Sequence, residues 1–167
     1  IVHFTNVDFS QTGGPDWPAA ALADLAADVA AGARGLKIYK GLGMDTLDVA
    51  GQRIAVNDAR LRPIWEACAR LGLPVLIHTA DPVAFFDPLD ATNERLDELS
   101  RSPDWWFGDR CRYPSFEDLM TALDRLLEAA GATTVIGAHV GCHAEDLDAV
   151  SAMLTRQSKS SMPAPGG

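Results

Sequence analysis

Paired cysteines, phosphate-binding glycine loops and long apolar runs are all missing from this 167-residue chain. Its three cysteines, Cys68, Cys111 and Cys142, are widely spaced and include no C-x-x-C pair. We therefore expect no disulfide scaffold and a reducing, cytoplasmic location. No apolar run approaches the ~18 residues that span a bilayer, so we expect no membrane segment. No G-x-G-x-x-G or Walker-type loop occurs, which leaves nucleotide binding without support.

Positive charge is also scarce. Lysine and arginine number 14 against 23 aspartates and glutamates, which gives a net charge of −9. An acidic surface repels nucleic acid and anionic membranes, so we expect neither as a partner and favour a small-molecule substrate. Hydrophobic residues make up 47% of the chain, enough for one domain core, which we expect over residues 1–156. The segment 157–167 is expected to be a disordered tail.

Segments rich in β-branched residues alternate with helix-forming segments along the chain. The expected strands cover residues 1–9, 34–39, 75–77 and 133–138. The expected helices cover residues 18–31, 58–71, 93–99, 115–131 and 144–156. Asp58 and Ser115 are the expected N-caps, and Gly72 ends the second helix. This alternation predicts an α/β fold with four parallel strands, either an open sheet or part of a β/α barrel.

Polar residues stand at or near the carboxyl end of every expected strand: Asn6 and Asp8, Lys37, His78, and His139. In parallel α/β folds these strand ends meet the ligand. The two histidines end equivalent apolar runs, at positions 78 and 139, 61 residues apart. This spacing is too long for a local metal motif but suits neighbouring parallel strands joined by a helix. Each histidine is either a hydrogen-bonded structural residue or a member of one shared site.

Strand alternation decides which face each histidine occupies. It groups Leu76 with His78 on one strand, and Gly137 with His139 on the other. We expect both groups to face the same side of the sheet, so that the two imidazoles converge. Lys37 either binds substrate at the same rim or extends its ammonium group to solvent.

The long segment after His78 contains two adjacent tryptophans, Trp105 and Trp106, flanked by arginines. Loops at the carboxyl face of a barrel carry specificity, so this pair is a candidate aromatic wall for substrate. The alternative is a hydrophobic cluster that pins a long loop to the surface.

Five segments together resemble the amidohydrolase-related family of metal-dependent hydrolases and decarboxylases: GLKIYKGLG, PIWEACARLGLPVLIHTADP, NERLDEL, YPSFEDLM and IGAHVG. The resemblance implies a partial (β/α) TIM-type barrel of about four consecutive units, similar to strands three to six of eight. It implies a divalent metal, with Zn²⁺ the first choice. His78 would be a metal ligand, and His139 would lie at the metal and act on substrate or water.

Two features of that family have no counterpart in this chain. Its H-x-H ligand pair is absent, and its metal-binding aspartate belongs to an eighth strand that this chain does not reach. We therefore expect an internal part of a larger enzyme, whose exposed sheet edges favour homo-oligomers. The resemblance implies hydrolysis of an amide, ester or lactone bond by a metal-activated water. The alternatives are non-oxidative decarboxylation on the same fold and a catalytically inert fragment.

Overall fold

The computed structural model describes residues 1–160 as an α/β structure built on one parallel sheet. The sheet has the order β1-β2-β3, with β1 at Leu36–Ile38, β2 at Val75–Ile77 and β3 at Val135–Gly137. The regular helices are α1 (Trp17–Ala30), α3 (Arg62–Leu71), α4 (Leu96–Arg101), α5 (Phe116–Ala129) and α7 (Leu147–Ser160). Two four-residue segments, α2 (Gly41–Met44) and α6 (Ala138–Gly141), contain residues whose φ and ψ are not helical. Four 3-10 turns cover Phe9–Gln11, Ala59–Leu61, Val83–Phe85 and Pro103–Trp105. No helix in this part of the chain is long and apolar enough to cross a bilayer.

The first expected strand, over residues 1–9, is reduced to a single bridge. Thr5 pairs in parallel with Leu36, donating its N–H to Gly35 O at 2.9 Å and accepting from Lys37 N at 2.8 Å. Asp8 then caps the 3-10 turn that follows and ends the extended segment. The prediction of a full strand here is wrong, because the segment forms only this one bridge with β1 before the chain turns at Asp8. Its position beside β1 nevertheless keeps the sequential parallel order of a partial barrel.

The sheet has one covered face and one open face. Leu36, Ile38, Val75 and Ile77 are buried in a core that includes residues of α1, α3 and α5. The opposite face carries a row in direct register, Lys37 beside Leu76 beside Ile136, and this row is half-buried to exposed. Helices therefore cover one side, as on the outside of a β/α barrel, and the side that would be its interior is open.

Helix boundaries follow the predicted caps in the middle of the chain. Ser115 Oγ accepts from Asp118 N at 3.0 Å, and Asp118 Oδ2 accepts from Ser115 N at 3.3 Å, a complete capping box. Gly72 ends α3 in the left-handed conformation, with φ of 61°. These two cap predictions are confirmed. The prediction that Asp58 caps the helix ending at Leu71 is wrong: Asp58 caps the 3-10 turn Ala59–Leu61, and α3 begins only at Arg62.

The last helix is shifted relative to its prediction over residues 144–156. It begins at Leu147 and continues to Ser160, so residues 157–160 are helical and not part of a tail. Met153 and Gln157 of this helix line a cavity beside β3. The remainder of the predicted tail, residues 161–167, lies outside the described residues.

Arg60 holds the loop over residues 45–53 against the turn that precedes α3. Its guanidinium donates to Asp48 Oδ2 at 2.6 Å and to Asp58 Oδ2 at 2.7 Å. These hydrogen bonds from Arg60 hold the pKa of both carboxyl groups below the ordinary aspartate value.

We expect Arg60→Gln to lower the Tm at pH 7 by roughly 2–5 °C, because two paired carboxylates lose their cation. A carboxyl group with a depressed folded pKa stabilises the protein above its unfolded pKa of about 4, and that contribution is lost as the pH falls through the folded value. The Tm difference from wild type should therefore narrow towards about pH 3. Thermal unfolding at both pH values measures this. Arg62→Gln, which loses only an exposed pair with Glu66, is the matched control and should leave the Tm nearly unchanged.

Candidate functional site

His78 lies at the carboxyl end of β2, on the open face of the sheet. Its backbone N–H donates to Ile38 O at 3.0 Å, which extends the pairing with β1 by one residue. The imidazole is largely buried, with 16% of its side chain exposed. The Tyr39 ring meets it edge-on at 5.8 Å, and Asp81 Oδ1 lies 3.5 Å from Nε2. The side chain therefore has a defined position without a close hydrogen bond to either nitrogen among the described residues.

His139 reaches the same place by a route that strand alternation does not predict. Gly137 pairs with Ile77, whose side chain is on the helix-covered face, so alternation from Gly137 would send His139 to that face. The expectation that alternation brings the histidines together is therefore wrong. The chain instead leaves the strand after Gly137, and the His139 ring centroid lies 4.8 Å from that of His78 at an interplanar angle of 68°.

The backbone turn that redirects His139 has an unusual conformation. His139, Val140, Gly141 and Cys142 have φ values of 52°, 57°, 66° and 66°, so four successive residues are left-handed. L-amino acids other than glycine rarely adopt this conformation, and a β-branched valine is especially unsuited to it. We call residues 139–142 the left-handed turn. Its presence at the polar end of the sheet is the kind of backbone strain that clusters at functional sites.

The charges around the two imidazoles favour a neutral His78. Burial lowers the pKa of His78, the Asp81 carboxylate opposes that shift, and His139, Lys37 and Lys40 add to it. Asp81 itself forms an ion pair with Lys40, which divides its charge between two partners. A neutral imidazole is the form that binds metal ions or accepts a proton.

Lys37 lies on the open face, in direct register with Leu76 and one strand away from His78. Burial lowers the pKa of its ammonium group, which donates to the carbonyl of Ile38 and lies 5.7 Å from the Tyr39 ring centroid. Lys37 is therefore held over the sheet and does not simply extend into solvent.

Asn6, Asp8 and Lys37 line one cavity of about 350 Å³, together with Tyr39. Three of the predicted substrate-binding residues thus meet in one place, beside the aromatic ring that contacts His78. Asp8 also has a structural contact, since its Oδ1 accepts from Ser10 N at 2.9 Å and caps the first turn. Tyr39 was not among the predicted site residues, although its position directly after β1 could have indicated it.

The two tryptophans make contacts within their own long segment. Trp106 Nε1 donates to Asp87 O at 2.8 Å, and Trp105 stacks on Phe85 at 6.5 Å with 48% of its surface exposed. These contacts support the alternative reading, a cluster that pins the loop. Phe107 of this segment lies closer to the site, with its ring centroid 4.9 Å from Lys40 Nζ.

The donor set fits a divalent metal only in part. Within residues 1–160, no group of three or more histidine, cysteine or acidic side chains is arranged to hold an ion. His78 and His139 supply two adjacent imidazoles, the ligands that zinc commonly takes in catalytic sites. Two imidazoles are fewer than the three protein ligands that a catalytic zinc site usually has.

Comparison with known proteins identifies the family. A family model described as Amidohydrolase matches residues 11–160, which covers all three strands and both histidines. No curated protein matches the chain with statistical significance. The resemblance seen in the sequence is thereby confirmed, and the parallel sheet with helices on one face agrees with part of a TIM barrel. The chain belongs to the amidohydrolase family.

Proposed function

We propose that this chain carries part of the metal centre of a hydrolase that acts on an amide, ester or lactone bond in a small molecule. The observation that carries the proposal is the pair of imidazoles 4.8 Å apart at the carboxyl ends of adjacent parallel strands. Ligands of β/α barrels bind at these ends. Membership of the amidohydrolase family supports a divalent metal, and two nitrogen donors favour zinc over magnesium or calcium.

His78 is the proposed metal ligand. Burial keeps it neutral, Tyr39 packs against its ring, and Asp81 faces Nε2 from 3.5 Å. When bound, a divalent cation supplies Lewis-acid activation of a carbonyl group and of water. The Lys40–Asp81 pair keeps a carboxylate close to His78 and limits the positive charge that would otherwise build up at this edge.

His139 is the proposed second ligand and the proposed proton carrier. It is exposed, whereas His78 is mostly enclosed, so His139 is the imidazole that a substrate can approach. From that position it can donate a hydrogen bond to a developing oxyanion or carry a proton to the leaving group. The cavity beside Tyr39 is the proposed substrate pocket, where the Lys37 ammonium would attract a polar or anionic group.

The test is a zinc titration of the 167-residue chain followed by assays on a panel of simple esters, lactones and amides. We expect zinc-dependent hydrolysis of at least one class, lost in His139→Ala. Release of CO₂ from an unsaturated or aromatic acid, without hydrolysis, would replace the hydrolase by a decarboxylase. Zinc binding with neither reaction would favour an inert fragment.

A further inference from the structure

We propose that Cys142 is a positioning residue, whose thiol fastens the left-handed turn to the end of β2 and thereby places His139 beside His78. The contact between the imidazole rings is observed directly in the structure. The proposal rests on the proposed function only for the chemistry that the pair performs.

The left-handed turn must be stabilised by contacts with other residues, because its backbone conformation is unfavourable by itself. Residues 139–142 are all left-handed, and three of them carry side chains. Gly137 pairs with Ile77, so an extended continuation of β3 would carry His139 to the covered face. The observed position of His139 therefore depends on contacts made elsewhere in the structure.

The Cys142 thiol makes two such contacts, one to each histidine segment. Its Sγ accepts a hydrogen bond from Ala80 N at 3.3 Å, two residues after His78. The same thiol points to Ala138 O at 3.8 Å, one residue before His139. The Cys142 N–H also donates to Ala138 O, at 3.1 Å, and closes the turn. One side chain thus joins the start of the turn, its end and the neighbouring strand.

The environment of this thiol suits a role as both donor and acceptor. Cys142 is only 6% exposed, and burial raises its pKa, so the group stays a neutral thiol at pH 7. A neutral S–H can donate to a carbonyl while its sulfur accepts from an N–H. A thiolate would lose the first of these contacts.

Two glycines give the turn the space it needs. A Cβ built on Gly137 would lie 2.9 Å from Gly141 Cα, a backbone clash that no side-chain movement relieves. Gly141 has φ of 66° within the turn itself. The turn therefore folds back closely over the end of β3, and this return brings His139 to the open face.

The experiment is NMR on the metal-free chain, with Cys142→Ala, Cys142→Ser and Cys68→Ala. We expect wild type to show a ring-to-ring NOE between His78 and His139, and strong intraresidue HN–Hα cross-peaks at positions 139 and 140. Cys142→Ala should lose these signals, and its Zn²⁺ affinity should fall about 10-fold, the effect typical of residues that orient a ligand. Cys142→Ser should retain them, because a hydroxyl also donates and accepts.

Cys68→Ala is the matched control, since Cys68 is also buried but lies on α3, in the core on the covered face of the sheet. It should keep the NOE. The proposal is overturned if Cys142→Ala keeps the NOE, if serine fails to restore it, or if Cys68→Ala also removes it. Should Cys142→Ala fail to fold, Cys142→Val, which fills the space but neither donates nor accepts a hydrogen bond, must lose the same signals, and retention there would overturn the proposal. If wild type shows the NOE but does not bind zinc, only the proposed function is rejected.

Discussion

Replacing His78 with alanine is expected to weaken Zn²⁺ binding by this chain at least ~10-fold, as measured by calorimetric titration. Burial lowers the pKa of this imidazole, which favours the form with a free lone pair, and the ring is enclosed between Tyr39 and Asp81. With only two adjacent imidazoles in the described site, removal of one leaves a single nitrogen donor and an ion held mostly by water. Outside the pair, we expect a comparable loss only from Cys142→Ala, because that change moves His139 away from His78.

His3→Ala is the control for this result. His3 is exposed near the amino end of the sheet, where its carbonyl accepts from Arg34 N at 3.0 Å. The His3→Ala variant should bind zinc with the affinity of wild type. His139→Ala should weaken binding less than His78→Ala but abolish any zinc-dependent hydrolysis. Unchanged zinc affinity in His78→Ala would remove this residue from the ligand set and leave the fold assignment intact.

The second large effect concerns stability and tests the two faces of the sheet. We expect Ile77→Ala to destabilise the chain by about 2–5 kcal/mol, because Ile77 is 1% exposed within the main core and its truncation leaves a cavity. Ile136→Ala should cost less than about 1 kcal/mol, since Ile136 is 44% exposed on the open face. Urea unfolding of both variants measures the difference.

These two isoleucines form a matched pair on adjacent strands. In the register of β2 and β3, Leu76 pairs with Ile136 and Ile77 pairs with Gly137. The two isoleucines therefore lie at almost the same level along the strands but on opposite faces of the sheet. Equal destabilisation would mean that the open face is covered, by a second copy of the chain or by another part of the protein. Size-exclusion chromatography at the same concentration distinguishes the first of these from a monomer.

Local elements were predictable because their determinants are local. The Ser115 capping box lies within three residues, and Gly72 ends its helix through its own left-handed backbone. The apolar runs at β1, β2 and β3 also identified the central strands: β2 has the expected bounds, and β1 and β3 are shorter than expected. Residues 1–9 were harder, because their composition favours a strand but does not indicate that only Thr5 forms a bridge with β1.

The long segment between β2 and α5 was ambiguous for a related reason. Its aromatic residues could equally build a substrate wall or a buried cluster, and composition does not separate the two. The described contacts of Trp106 with Asp87, and of Arg110 with the carbonyls of Phe86 and Phe107, hold the loop to itself. Only those contacts favoured the cluster.

The sequence by itself determined the alternation of strands and helices, the resemblance to amidohydrolases and the choice of His78 and His139. Each of these depends on residue type and on neighbours within a few positions. Only the tertiary structure decided how the two imidazoles meet. Their meeting depends on the register of β2 against β3, and on a left-handed turn joined by Cys142 to Ala80, 62 residues away. Contacts between residues so far apart leave no recognisable pattern in the sequence. Strand alternation therefore led us to expect that the two rings meet, but the left-handed turn is what brings them together.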